Sequence, residues 1–587
     1  MGRASILRFP GLIAAALIVV GGVGADVNAA ATAELQAALA EARPDQSIPV
    51  IVAYRSRQSA YALRRELQSE ARESRRREVV ARLRDASRAD TAPLIETAQA
   101  GGAVRVRPLW IANALALSAP PALVRALADD PRVLQVRLDS ALAAPLPMAG
   151  DPVPVEWNLN MIHAPQLWER GLRGEGAVVA ILDTGVDVLH PDLAATFRGG
   201  SNSWFDPFSQ HATPRDVSGH GTQAAGLVVG GSAGGSAIGV APGARWIAAR
   251  VFDDAGNGSE SAVHLAIQWA LDPDGNPATD DAPQVVSASW SIADGGLCNS
   301  VFQPDIDALR AADISIVFAA GNYGPLPGTS ASPGNNLHVQ SVGAVDSAGK
   351  LAAYSSRGPS ACDGSVFPKV VAPGDSVLTS DLSFGGDPFY ILVSGTSFSA
   401  PHVAGVLALL RAAEPLASAE DVEQAVVTTA HDLGPPGPDN DFGYGLVDAA
   451  AALDAVKHAV DMDGDGASAN TDCNDNDASI RPGAPEVRAD GIDQDCNGYD
   501  LTLRVHYAVY SHDGATLRVR ASSALGEKAA LEIEGGGALQ WRAPYRDWFF
   551  EGPVSARDRL TLKGVEGEIT VPVRRPTRRR ETSGGSP

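Results

Sequence analysis

The chain lacks the excess of positive charge that a nucleic-acid-binding protein carries. Its 47 Lys and Arg residues are outnumbered by 69 Asp and Glu, for a net charge of −22 and an isoelectric point of about 4.9. A chain this acidic is repelled by phosphate backbones, which excludes nucleic acid as its main partner. A second long apolar run is also missing. The one that exists, GLIAAALIVVGGVGA, ends at Asp26, short of the roughly 20 residues a spanning helix needs. Cysteine is scarce, with four residues and no C-x-x-C pair, which argues against a zinc site.

What is present is a large core. At 587 residues and 45% hydrophobic, the chain has room for three or four domains of roughly 150 residues. Arg3 and Arg8 precede the apolar run, and Val23-Gly24-Ala25 closes it. This is the pattern of a signal peptide over residues 1–25, and it predicts export to an oxidising compartment where cysteines pair. Charge is uneven along the chain. RRELQSEARESRRREVVARLR, from Arg64 to Arg84, is basic and reads as a solvated helix face, whereas residues 461–500 are crowded with acid.

Residues 26–148 mix an apolar strand at Ile48–Tyr54, the basic helix and a helix near Ala122–Ala128. They end in the linker-like LAAPLPMAGDPVPVEW. From about 155 to 460, short β-branched runs (AVVAIL, RWIAARVF, QVVSASW, ISIVFAA) alternate with helical patterns (SAVHLAIQWAL, DIDALRAA). That alternation predicts an α/β fold, a parallel sheet covered on both faces. Residues 501–573 alternate apolar and polar (LTLRVHYAVY, ATLRVRA, EITVPV) and predict a small antiparallel β domain, followed by a basic, disordered tail at 574–587.

The chemistry is concentrated at VSGTSFSAPHVAG, Val393–Gly405, where turn residues break into a long apolar helix. Unpaired N–H groups and the dipole at a helix start favour negative charge. A serine there, Ser397 or Ser399, could attack a carbonyl, or could simply cap the helix. Attack needs a base and a carboxylate. Asp183, in DTGVD after AVVAIL, and His220, in SGHGT, supply both, each expected at the end of a strand. In acyl transfer the serine attacks, the histidine takes its proton and the aspartate fixes the histidine tautomer.

DTGVD, GHGT and GTSFSAPHVAG, in that order, resemble the active-site motifs of the subtilisin-like serine proteases, over about Trp157–Ala455. The resemblance implies a subtilisin-like fold, with Ser397 as nucleophile, His220 as general base and acid, and Asp183 as its orienting partner. It makes Asn322 of AAGNYG an oxyanion donor and Ser399 a structural or capping residue. It also aligns Gly256, Asn257 and Gly258, and Ser289, Trp290 and Ser291, with the strands that bind extended peptide. Ser291 stands where the family usually has glycine, so the preference for the residue before the cut is not carried over. Gln223 replaces a common histidine. His402 fits the family pattern and reads as a packed structural residue.

The acidic stretch suits a hard cation. Asp461, Asp463, Asp465, Gly466 and Asp472 fit positions 1, 3, 5, 6 and 12 of a Ca²⁺ loop, and Asp493, Asp495, Asn497 and Asp500 repeat the spacing. Pro482 prevents a full EF-hand. The stretch resembles the DCND…DGIDQDC calcium modules of bacterial extracellular proteins, and an acidic solvated linker is its plain alternative. Cys473 and Cys496 are expected to pair within it; a Cys298–Cys362 bridge is left open.

Residues 26–148 resemble the inhibitor-type propeptides of the protease family, on IPVIVAY, ANALALSAPPALVRALADDP and RVLQVRLDS. The expected organisation is a signal peptide (1–25), a propeptide (26–148), a protease domain (149–460), a metal module (461–500), a β domain (501–573) and a tail. The whole implies a secreted serine endopeptidase made as a zymogen, with structural calcium, peptide substrates, its own propeptide as inhibitor and a surface-held form left open. The alternative is a surface-binding protein with a vestigial protease domain, whose triad should then be damaged; here it is intact.

Overall fold

The computed structural model describes residues 30–575 apart from 57, 69, 146–147, 150–155, 293–294, 385–386, 460–462, 464, 466, 468–471, 475, 512–513 and 556. The expected signal peptide, Asp461, Gly466 and most of the expected tail lie outside the described residues. Two compact units emerge, Met1–Arg57 with Asp85–Ser140, and Gln58–Arg84 with Ala141–Pro587. This division differs from the sequence reading, which kept residues 58–84 with the rest of 26–148.

In the smaller unit, Ile48–Tyr54 is an apolar strand whose Val50, Ile51 and Val52 are fully buried. It pairs antiparallel with Ala114–Ala119 on one side and Val133–Leu138 on the other, and Val104–Leu109 completes the sheet. Helix Pro121–Ala128 adds Val124 and Leu127 to the same core as Leu94 and Ala98.

The larger unit is built on a seven-stranded sheet in which every pairing is parallel. Its order from one edge is Val370–Pro373, Gln340–Val345, Ser315–Ala319, Val285–Ala288, Val178–Asp183, Arg245–Arg250 and Trp204–Phe205. The central strands are buried throughout, which is why their sequences are continuous apolar runs rather than alternations. From Val178–Asp183 the chain turns first towards Arg245–Arg250 and only later to Val285–Ala288. The direction of winding therefore reverses at this strand, and a crevice opens at its carboxyl end. Helix Thr396–Ala413, buried from Thr396 to Arg411, belongs to the same core as the sheet. A helix apolar on all sides needs such an enclosed position.

The basic segment is not a solvated face. It forms helices Ala60–Glu66 and Arg72–Ala100, and several of its arginines are held by the larger unit to which Gln58–Arg84 belongs. Arg72 Nε donates to Asp313 Oδ2 at 2.9 Å. Arg76, 5% exposed, donates to Asp280 Oδ1 at 2.7 Å, Ala312 O at 3.1 Å and Pro283 O at 3.1 Å. Arg64 pairs with Glu420 at 2.9 Å. Long arginine stems lie along apolar surface while the forked head meets carboxylates and carbonyls. A run of arginines thus reads as surface in sequence and becomes an interface when acid faces it.

The carboxyl-terminal region folds as expected into antiparallel strands, in two four-stranded sheets. One contains Arg504–Tyr510, Leu517–Ser522, Asp547–Gly552 and Gln540–Arg542; the other contains Arg559–Gly564 and Gly567–Pro572. Leu517, Val519, Leu560 and Leu562 fill the core below them. Among the described residues no helix is long and apolar enough to cross a membrane.

Candidate active site

Asp183 is the last residue of the strand at the reversal point. Its Oδ1 accepts from Thr184 N–H at 2.8 Å and meets His220 Nδ1 at 2.8 Å; both side chains are 1% exposed. A carboxylate against Nδ1 selects the tautomer that donates from Nδ1 and leaves Nε2 as the basic nitrogen. Nε2 has no hydrogen-bond partner of its own. His220 opens helix His220–Val229, so the expectation that it would end a strand is corrected: a loop carries the chain from Trp204–Phe205 to this helix. Gly221 makes the approach possible. A Cβ there would lie 2.1 Å from Gly185 O and 3.0 Å from Asp183 Cβ.

Asp216 ties these two segments together. Its Oδ1 accepts from Thr184 Oγ1, Ser218 N–H and Gly219 N–H, and its Oδ2 from Thr222 N–H and Thr222 Oγ1. Burial pushes its carboxyl up from the usual range, against the downward pull of those bonds. In sequence it reads as an ordinary loop acid, and nothing in the motif marks it.

Ser397 is the second residue of helix Thr396–Ala413 and is 5% exposed. The residue before the helix, Gly395, has φ 149° and ψ 153°, a conformation essentially confined to glycine. Tyr354 holds this turn: its hydroxyl accepts from Gly395 N–H at 3.1 Å and donates to Gly374 O at 2.8 Å. Burial raises the Tyr354 hydroxyl well above its ordinary range, so it remains a donor. Phe398, next in the chain, lies 5.4 Å from the His220 ring, centroid to centroid. Asn322 Oδ1 accepts from Thr396 N–H and Oγ1, both at 2.9 Å. Its Nδ2 comes within 3.5 Å of where a Cβ on Gly395 would stand. The sequence motifs do not single out Thr396 or Tyr354. Ser399 is buried with no hydrogen bond, and a Cβ on Gly374 would run into its Oγ; it packs and caps nothing.

Of the two expected peptide-binding stretches, one is already paired. Asn257–Ser259 runs antiparallel to Ala141–Ala143, with Asn257 opposite Ala143, Gly258 opposite Leu142 and Ser259 opposite Ala141. Ala144 N–H extends the pairing to Gly256 O at 2.8 Å. Further on, Met148 and Ala149 pair with Ser394 and Val393. Ser289–Ser291 makes no such pairing among the described residues. The Trp290 side chain is core, 1% exposed, with ring centroids 5.9 Å from Phe302 and 5.4 Å from Phe318 and its indole N–H on Leu182 O. Only its backbone is left to meet a substrate. His402 is fully buried between Asn158 Nδ2 and Phe398 O, and burial lowers its pKa to about 4.

The acidic module brings some of its expected ligands together and separates others. Asp463, Asp465 and Asp472 each offer an oxygen within 4.8 Å of the others. Asp493 and Asp495 form a second such group with Glu486, which the spacing had not indicated. Burial raises the Asp495 carboxyl, and the charges of Glu486 and Asp493 add to the effect. Asn497 and Asp500 are engaged elsewhere: Asn497 Oδ1 accepts from Tyr499 N–H, and Asp500 from Ala489 and Gly491 N–H. Cys473–Cys496 and Cys298–Cys362 both form disulfides.

Comparison with known proteins places these features. Residues 174–445 match the subtilase family, peptidase S8, and residues 472–500 match a putative metal-binding motif whose family name refers to copper. Bacillopeptidase F of Bacillus subtilis is 37% identical over 324 residues, 51% of this chain but 22% of that protein. A thermostable alkaline protease of Halalkalibacterium halodurans is 33% identical over 298 residues, 51% of this chain and 73% of its own length. Subtilisin Savinase of Lederbergia lenta is 31% identical over 298 residues, 51% of this chain and 98% of its own. The chain belongs to the subtilase family of serine proteases.

Proposed function

We propose that the chain is an exported serine endopeptidase made as a zymogen. Ser397 Oγ attacks the peptide carbonyl carbon and passes its proton to His220 Nε2, while Asp183 holds the imidazolium through Nδ1–H. The oxyanion is met by Asn322 Nδ2 and the Ser397 N–H at the helix start. The intermediate collapses, the amine leaves with the proton from Nε2, and a water deprotonated by His220 releases the acid by the same steps in reverse. Donors already fixed at the place where charge develops need no reorganisation during the reaction. The observation that carries this reading is the buried contact of His220 Nδ1 with Asp183 Oδ1 beside the helix that starts at Thr396. A fluorophosphonate probe should label Ser397, and Ser397→Ala should lose both label and activity.

The zymogen reading rests on the chain's own segment. Ala141–Ala144 lies against Gly256–Ser259 as an added strand, and Met148–Ala149 lies against Val393–Ser394. Strand addition of this kind is how extended peptides are bound, and Val393–Ser394 leads directly into the helix start that carries Ser397. The mature enzyme is expected to begin between Ala141 and Val155, as N-terminal sequencing would report. A protein that is fully active while residues 26–148 remain attached would rule this out.

The 463–500 module is read as a structural calcium site. Its grouped ligands are carboxylate oxygens, which suit a hard cation such as Ca²⁺ better than copper. The module buries few apolar side chains, Ile480 and Ala484 among them. Bound calcium would add to the Cys473–Cys496 bridge and to hydrogen bonds such as Arg481 N–H to Gln494 O at 2.8 Å in linking the module's loops. Calorimetry with Ca²⁺ and with Cu²⁺ distinguishes the two ions.

A further inference from the structure

The loop between helix Glu260–Leu271 and strand Val285–Ala288 carries DPDGNPATDDAP and has no part in the chemistry above. Asp272 sits at the C-cap of that helix, where the dipole already disfavours negative charge. It is 5% exposed, and its Oδ1 accepts no hydrogen bond. Asp274 and Asp281 bring a carboxylate oxygen each to the same point, all three within 4.8 Å of one another. Their other contacts orient them. Asp274 accepts from Asn276 N–H at 2.8 Å and Thr279 Oγ1 at 2.9 Å, and Asp281 Oδ2 from Asn202 Nδ2 at 2.8 Å. Burial first, then the neighbouring charges of Asp281 and Asp274, raise Asp272 to about 6 despite the opposing pull of Arg84.

Two cations face this group. Arg198, a permanent neighbour, donates Nη1–H to Asp281 O at 2.5 Å and acts on Asp274 and Asp281 through its charge. The other is Arg84, whose Nη1 is in ion-pair contact with Asp272 Oδ2 and donates to Gly275 O at 3.0 Å. Arg84 belongs to residues 26–148. Its guanidinium spans the Asp272 carboxylate and the Gly275 carbonyl, oxygen donors of the kind a calcium ion takes.

We propose that Asp272, Asp274, Asp281 and Gly275 O form a calcium site of the protease body, which Arg84 fills while the amino-terminal segment is attached. Calcium and that segment then compete: the ion enters only when Arg84 leaves, and its entry opposes rebinding of the segment. The site itself does not depend on release of the segment; the exchange does, and so rests on the zymogen reading above.

The test counts calcium ions in full-length chains that cannot cut themselves. Ser397→Ala is titrated with Ca²⁺ by calorimetry beside Ser397→Ala/Arg84→Ala. The second protein is expected to bind one more ion, and adding Asp272→Asn should remove it; the 463–500 module contributes equally to all three. Thermal melting gives a second readout. Calcium should raise the melting temperature of the Arg84→Ala chain more than that of its parent, and Asp272→Asn should cancel the extra rise. Equal stoichiometry with equal melting shifts overturns the site. The same count on wild-type chain after self-processing should again exceed the uncut Ser397→Ala count by one, and equality there overturns the exchange. A wild-type chain that never sheds residues 26–148 would defeat the zymogen reading while leaving the Arg84→Ala comparison intact.

Discussion

The α/β body and the 463–500 module use the same residue type to opposite ends. In the body, three buried aspartates are met by donors of the larger unit itself. Asp216 takes five hydrogen bonds, Asp192 takes the Ala233 N–H and the Tyr390 hydroxyl, and Asp313 takes Arg411 and the Ala419 N–H. Burial alone would raise Asp313, but Arg411, the Ala419 N–H and Arg75 outweigh it and hold it at about 2. In the module, Asp465 Oδ2 and Asp472 Oδ2 have no hydrogen-bond partner, and their neighbours are other carboxylates. A carboxylate satisfied from within orders a catalytic loop; one left facing its own kind calls for a cation from outside.

The sharpest break of the body is removal of its base. His220→Ala should lower kcat by about 10⁶-fold without altering calcium uptake by the module, as steady-state kinetics and calorimetry would show. Asn322→Ala should cost about 10²–10³ in kcat with little change in KM, the mark of a contact made mainly in the transition state.

A smaller effect comes from acid. The fold keeps His402 neutral down to about 4, whereas the unfolded chain takes up that proton near 6.5. Between those values the unfolded state binds more protons, so stability falls as pH falls, by on the order of 3 kcal/mol across the window. Urea unfolding of Ser397→Ala at pH 7 and pH 4.5 measures it, and His402→Gln should flatten the difference. Chelation should act on the module rather than the body. Trypsin added to uncut Ser397→Ala in EDTA should cut first within 463–500, and calcium should protect that stretch while the body stays intact in both cases.

Much of this was legible in the sequence where one residue type admits one use. Uninterrupted runs such as AVVAIL and ISIVFAA became sheet strands because only a doubly covered sheet buries them, and the Asp183, His220 and Ser397 segments converge on one crevice. The order of the strands, and hence the crevice, was not legible, because pairing partners are set by long-range packing. Asp216 was missed because five of its partners are backbone or hydroxyl donors that no spacing announces. Arg72 and Arg76 were misread because exposure depends on what faces a helix. Glu486 joined the carboxylate group of Asp493 and Asp495 because the fold brings it there from outside the repeated spacing, a long-range placement that no local motif announces.

Labelling of the nucleophile tests the central claim most directly. Wild-type protein and Ser397→Ala are treated with a fluorophosphonate, digested and mapped by mass spectrometry, with peptide hydrolysis followed in parallel. The account predicts one adduct, on Ser397, together with loss of activity, and neither adduct nor activity in the variant. An adduct on another serine, or undiminished hydrolysis by Ser397→Ala, would contradict it.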